Sequence, residues 1–106
     1  MAELIFGYTP THPGEVIKEE IEYRGISQRE LAKRIGMPHS VVNEILNGKR
    51  IVSTRTAYLM EAALGIPAYS LLRLQLKYDI QTAQADASLQ EEIATVRRMA
   101  FTGVVA

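Results

Sequence analysis

Apolar positions recur along the chain at three- and four-residue spacing in short bursts, and single Gly or Pro residues separate the bursts. Pro13-Gly14 after His12 reads as a first helical turn, and Val16, Ile17 and Ile21 give that helix one apolar side up to Arg24-Gly25. Ser27-Gln28-Arg29-Glu30 has the form of a capping box, in which the Ser27 hydroxyl accepts from the Glu30 amide and the Glu30 carboxylate accepts from the Ser27 amide. It opens a second helix with Leu31, Ala32 and Ile35 inward and Gly36 at its end. After Met37-Pro38 a third helix is expected over His39 to Asn47, burying Val42, Ile45 and Leu46 and stopping at Gly48.

Ser53 or Thr54 is placed to cap a fourth helix, with Tyr58, Leu59, Ala62 and Ala63 toward the core and Gly65 at its end. Pro67 fits the first turn of a fifth, which carries Leu71, Leu72, Leu74 and Tyr78. From about Gln81 the Gln, Ala, Thr and Ser content reads as a loosely packed connection. A second capping box at Ser88-Leu89-Gln90-Glu91 then opens a terminal helix. Leu89, Ile93, Val96 and Ala100 form its apolar stripe, which needs a partner surface: the chain's own core, a second copy or another protein. Dimerisation is the reading favoured. Strand signals are nearly absent, so the fold class expected is all-α. A five-helix domain fills residues 11–80, and a connection and helix for dimerisation or partner binding fill 81–106.

Length and composition narrow the class. One modest core fits 106 residues, and 47% hydrophobic with 23% charged residues describes a chain that folds. With no cysteine there is neither a disulfide framework nor a thiolate metal site. The apolar runs are far shorter than the roughly 20 residues that span a bilayer. Met1 to Phe6 carries Glu3 where a signal peptide would carry basic residues, so a cytoplasmic location is expected, with no membrane contact.

The net charge of zero conceals a segregation. Residues 1–23 hold five glutamates against Lys18, a net −4. Residues 24–55 hold seven Lys and Arg against Glu30 and Glu44, a net +5, and the remainder carries −1. A basic middle and an acidic start allow one phosphate-facing surface and a separate surface for something else.

The chemistry lies in Ser27 to Asn47: a two-turn helix, a tight turn at Gly36-Met37-Pro38 and a second short helix. DNA-binding helix-turn-helix proteins use that arrangement to bridge the backbone with the first helix and to lay the second in a major groove about 12 Å wide. A left-handed turn residue disfavours a Cβ, hence Gly36. With Val42, Ile45 and Leu46 inward, the third helix presents His39, Ser40, Asn43 and Glu44 to base edges. Asn bonds adenine, Ser bonds several edges, and Glu accepts from the cytosine amino group. Asn47 ends that outer face, and Gln28, Lys49, Arg50 and Arg55 surround it as phosphate contacts that position without reading sequence. One helix rarely supplies enough specificity, so a dimer on a palindromic operator in double-stranded DNA is expected, its two readers about 34 Å apart.

Four segments carry a family resemblance: Thr11-His12-Pro13-Gly14-Glu15, Ser27-Gln28-Arg29-Glu30-Leu31-Ala32, Leu46-Asn47-Gly48-Lys49-Arg50, and Leu72-Arg73-Leu74-Gln75-Leu76-Lys77-Tyr78-Asp79-Ile80. Residues 11–80 resemble the HigA-type helix-turn-helix antitoxins, within the lambda-repressor-like regulators of the XRE group. The second and third segments are shared by many such regulators; the first and last are particular to HigA-like proteins. The resemblance implies a five-helix domain, dimerisation, repression of the protein's own operon, and pairing with a HigB-like toxin that cleaves mRNA. It also implies a backbone contact at Gln28, base contacts at His39, Ser40 and Glu44, and flanking phosphate contacts at Asn47 and Lys49. Pro38 departs from the usual Ser or Thr cap of the recognition helix, and Leu71 stands where the family often has Trp.

The alternative from the same class is a helix-turn-helix transcriptional regulator with no toxin partner. An enzyme fits poorly: His12 and His39 are far apart, no His-Glu-x-x-His and no glycine-rich phosphate loop occur, and no cofactor is implied. His12 beside Pro13 reads as a helix cap or surface residue rather than a metal ligand. Glu15, Glu19, Glu20 and Glu22 offer an acidic face to a basic RNA-cleaving toxin, or form an ordinary wet helix face.

Overall fold

Every regular element in the computed structural model, which describes residues 11–101, is an α-helix. Among the described residues these are α1 (Pro13–Arg24), α2 (Gln28–Ile35), α3 (His39–Leu46), α4 (Thr54–Leu64), α5 (Ala68–Ala85) and α6 (Ala87–Phe101). The expectations about the first six residues, and the last five of the terminal segment, lie outside that range. No described helix is long and apolar enough to cross a membrane.

Residues Thr11–Tyr78 form one compact unit, and residues 79–101 belong to a second. The first has a continuous core that includes Ile17, Ile21, Leu31, Ile35, Val42, Ile45, Leu46, Met60, Leu64 and Leu71, all under a tenth exposed. α3 packs against α2 and α1, and α2 against α4. The short polar helices are thereby fixed by the apolar sides they bury, since helices of eight residues are marginal alone.

The ends of the helices follow local chemistry, with some differences from the sequence expectation. The complete capping box belongs to α1: His12 Nδ1 accepts from the Gly14 amide at 2.9 Å while Glu15 Oε2 accepts from the His12 amide at 3.3 Å. His12 is therefore a cap, but it is buried, with its ring edge-on to Tyr78 at 4.9 Å, rather than a surface residue. At Ser27 half of the expected box forms. Its hydroxyl accepts from Glu30 N at 3.0 Å, but the Glu30 carboxylate turns to Arg34 at 3.3 Å. Ser53, not Thr54, caps α4.

The inward face of α4 is rotated from the expected one. Thr56, Ala57, Met60 and Leu64 are buried; Tyr58 is 59% exposed and Ala62 exposed, with Leu59 and Ala63 half-buried. Both sets have helical spacing, and burying small Ala57 with unbranched Met60 keeps the bulky, polar-tipped Tyr58 in water.

Beyond Tyr78, α5 runs on through the stretch expected to be an irregular connection. Gln81 to Ala85 contains neither Gly nor Pro, and its Gln and Ala residues favour helix. The terminal helix is capped by Asp86, whose Oδ1 accepts from Leu89 N at 3.1 Å, so Ser88 lies inside the helix rather than at its cap. α6 has no buried residue: Leu89 and Ile93 are half-buried, Val96 and Ala100 exposed, and all four line one open groove.

Candidate nucleic-acid interface

α2, the turn and α3 are built from backbone bonds that leave little freedom. Gly36 ends α2 at φ 69°, its amide donating to Ala32 O, and Met37 N donates to the same carbonyl at 3.0 Å. At this φ a Cβ is strained whatever the space around it. Pro38 starts α3 with no side-chain cap. Its carbonyl accepts from Val41 N and Val42 N at 3.1 and 3.2 Å. Val42, Ile45 and Leu46 are buried beneath and Val41 packs half-buried beside them, so the opposite side of α3 faces outward.

On that outer side Ser40, Asn43 and Asn47 are exposed, and His39 and Glu44 half-exposed. Asn43 Nδ2 donates to Gln28 Oε1 at 2.9 Å, a side-chain bridge from α3 to the first residue of α2. That bond sets the plane of the Asn43 carboxamide. It takes one Nδ2 hydrogen of Asn43 and one lone pair of Gln28 Oε1. Asn47 Nδ2 bonds back to Asn43 O at 2.9 Å and closes the end of α3.

Cations follow in the loop after α3 and at the start of α4. Lys49 and Arg55 are exposed. Arg50 turns back onto α3, where its Nε and Nη2 donate to Glu44 Oε1 at 3.0 and 2.6 Å. The loop is held from behind by a residue that sequence reasoning passed over. Gln75, buried in α5, accepts the Val52 amide on its Oε1 at 2.7 Å. Its position relative to Ala68 and Leu71, on the inward side of α5, was the available signal: a polar residue in a core stripe needs a polar partner.

The acidic residues of α1 do not act as one group. Glu15, Glu19 and Glu22 line a shallow pocket with His12, Lys18, Leu46, Asn47 and Gly48. Glu20 instead pairs with Arg24 at 2.6 Å. Three carboxylates thus stand beside the Asn47 end of α3, and the fourth is engaged within its own helix. No cluster of acidic residues or histidines suited to a metal ion occurs among the described residues.

Comparison with known proteins gives the family and the fold. The helix-turn-helix family matches residues 17–71. Virulence-associated protein I of Dichelobacter nodosus is 36% identical over 76 residues, covering 71% of this chain and 70% of that protein. Among solved structures, an addiction-module antidote protein of the HigA family from Coxiella burnetii is similar at 34% identity and a TM-score of 0.70, covering 78% of this chain and 91% of that one. The Pseudomonas aeruginosa antitoxin HigA, solved with the higBA promoter, is similar at 29% identity and a TM-score of 0.72, covering 79% and 92%.

Proposed function

The chain belongs to the helix-turn-helix family, and from that premise we propose that it is the DNA-binding antitoxin of a toxin-antitoxin module. In this reading it represses its own operon and neutralises a HigB-like mRNA-cleaving toxin. The observation that carries DNA binding is the outer side of α3, where Ser40, Asn43 and Glu44 project from a helix whose other side is locked into the core. His39 and Ser40 at its amino end, with Asn43 and Glu44 one turn on, meet base edges; Gln28, Asn47, Lys49, Arg50 and Arg55 meet phosphates. Similarity to a HigA antitoxin solved with promoter DNA, spanning most of both chains, supports the antitoxin part of the proposal.

A dimer brings two such helices to successive turns of one duplex face. The groove along Leu89, Ile93, Val96 and Ala100 supplies the apolar area for the contact between copies. Glu15, Glu19 and Glu22, which share one face of α1, are the residues offered to a basic toxin, and Glu20 adds nothing to that face because Arg24 neutralises it.

Co-expression with the adjacent reading frame is the test of the antitoxin role. The neighbour alone should arrest growth, and this chain should restore it and co-purify with it. A neighbour that is harmless, or a chain that neither rescues nor binds it, leaves a helix-turn-helix regulator without a toxin.

A further inference from the structure

Two of the charges at the interface are already committed to each other. Arg50 directs both Nε and Nη2 at a single oxygen of Glu44, and the two side chains remain 51% and 46% exposed. The pair therefore lies on the outer surface, where a duplex would lie, not in the core. Glu44 faces outward from α3, while Arg50 follows the turn that ends it, so the contact joins the base-facing side of the interface to its phosphate-facing rim.

We propose that Glu44 is a specificity-determining residue that acts by holding Arg50, so that base readout and phosphate anchoring are exchanged together. The inference rests on the DNA-binding reading above. The physical reason is that a carboxylate accepts only. Opposite guanine O6 and N7 or thymine O4 it meets further acceptors, within a groove walled by phosphates. If Arg50 then left for a phosphate, Glu44 would stand unpaired in negative surroundings. Opposite the amino group of cytosine or adenine it receives a donor in place of the guanidinium. Arg50 is then released to a phosphate with no carboxylate stranded. While held, Arg50 displaces no counterion and adds nothing to non-specific binding. Glu44 thus discriminates chiefly by weakening the hold on wrong duplexes.

The test measures dissociation constants across a salt series for wild type, Glu44→Gln, Arg50→Ala and the double variant. Two duplexes are used: the promoter immediately upstream of the protein's own gene, and a scrambled duplex of equal length and composition. Glu44→Gln keeps the shape and removes the charge. It should tighten binding to the scrambled duplex about threefold, the scale of an exposed ion pair. It should also steepen the salt slope by about 0.9, because the freed Arg50 neutralises one more phosphate. The slope lost on Arg50→Ala with scrambled DNA should be larger by about 0.9 in the Glu44→Gln background than in wild type. Equal losses in the two backgrounds, or weaker scrambled binding by Glu44→Gln, would overturn the proposal while leaving DNA binding intact. Wild type binding neither duplex at low salt would overturn the DNA-binding reading and this inference with it.

Discussion

Two glycines show how differently single positions are constrained. Gly14, in the first turn of α1, passes so close to α3 that a Cβ would collide with the Ile45 carbonyl oxygen and crowd His12 Nδ1 at 3.0 Å. Gly36 has open space around it, and only its φ of 69° resists substitution. Gly14→Ala is therefore expected to cost more than Gly36→Ala. The first forces backbone apart at about 1–3 kcal/mol or more, the second strains one residue at about 1–2 kcal/mol. Thermal unfolding of the two variants checks the order, and a smaller loss at Gly14 would show that α1 and α3 can separate cheaply. The need for glycine in the Gly36 turn was readable from the sequence, because it is a local property of backbone. The need at Gly14 was not, because it depends on which carbonyl of α3, 31 residues away, comes to lie against it.

The same division holds for whole elements. The helices around α3 could be placed from apolar spacing and from Pro and Gly punctuation, and the buried set Val42, Ile45 and Leu46 was legible because the apolar residues of α3 fall on one side, with Val41 half-buried at its edge. For α4 apolar residues lie on more than one side, and the helix, packed against α2, buries Thr56, Ala57, Met60 and Leu64. Within the interface, side-chain types could be enumerated from sequence, but the pairings Gln28 with Asn43 and Glu44 with Arg50 required the turn geometry that brings them together. Gln75 is the clearest element-scale dependency, since α5 uses it to hold the loop that carries Lys49 and Arg50. Gln75→Leu leaves the Val52 amide buried without its acceptor and should cost about 1–3 kcal/mol, read as a lower denaturation midpoint. It should also lower the salt slope for DNA, because the loop cations are no longer held in place. Unchanged stability would mean that Val52 finds another acceptor or water.

For the molecule as a whole, a net charge of zero is compatible with DNA binding because the charges are segregated, with cations on α2, the loop after α3 and the start of α4. Lys49→Ala should weaken promoter and scrambled duplexes alike and lower the salt slope by about 0.9, the counterion release of one phosphate contact. If the proposed dimer forms through α6, truncation after Asp86, which removes that helix with its apolar groove, should leave a monomer at micromolar concentration, measured by light scattering. A truncated chain that stays dimeric would move the interface elsewhere. The central claim, that the outer side of α3 reads bases, is tested most directly by Ser40→Ala, which removes an exposed hydroxyl from that face. The quantity measured is the ratio of affinities for the protein's own promoter and a scrambled duplex at fixed salt. The expected result is a wild-type preference for the promoter that falls in the variant by the equivalent of about 1–3 kcal/mol, with scrambled affinity unchanged. A wild-type protein that binds both duplexes equally would contradict the claim.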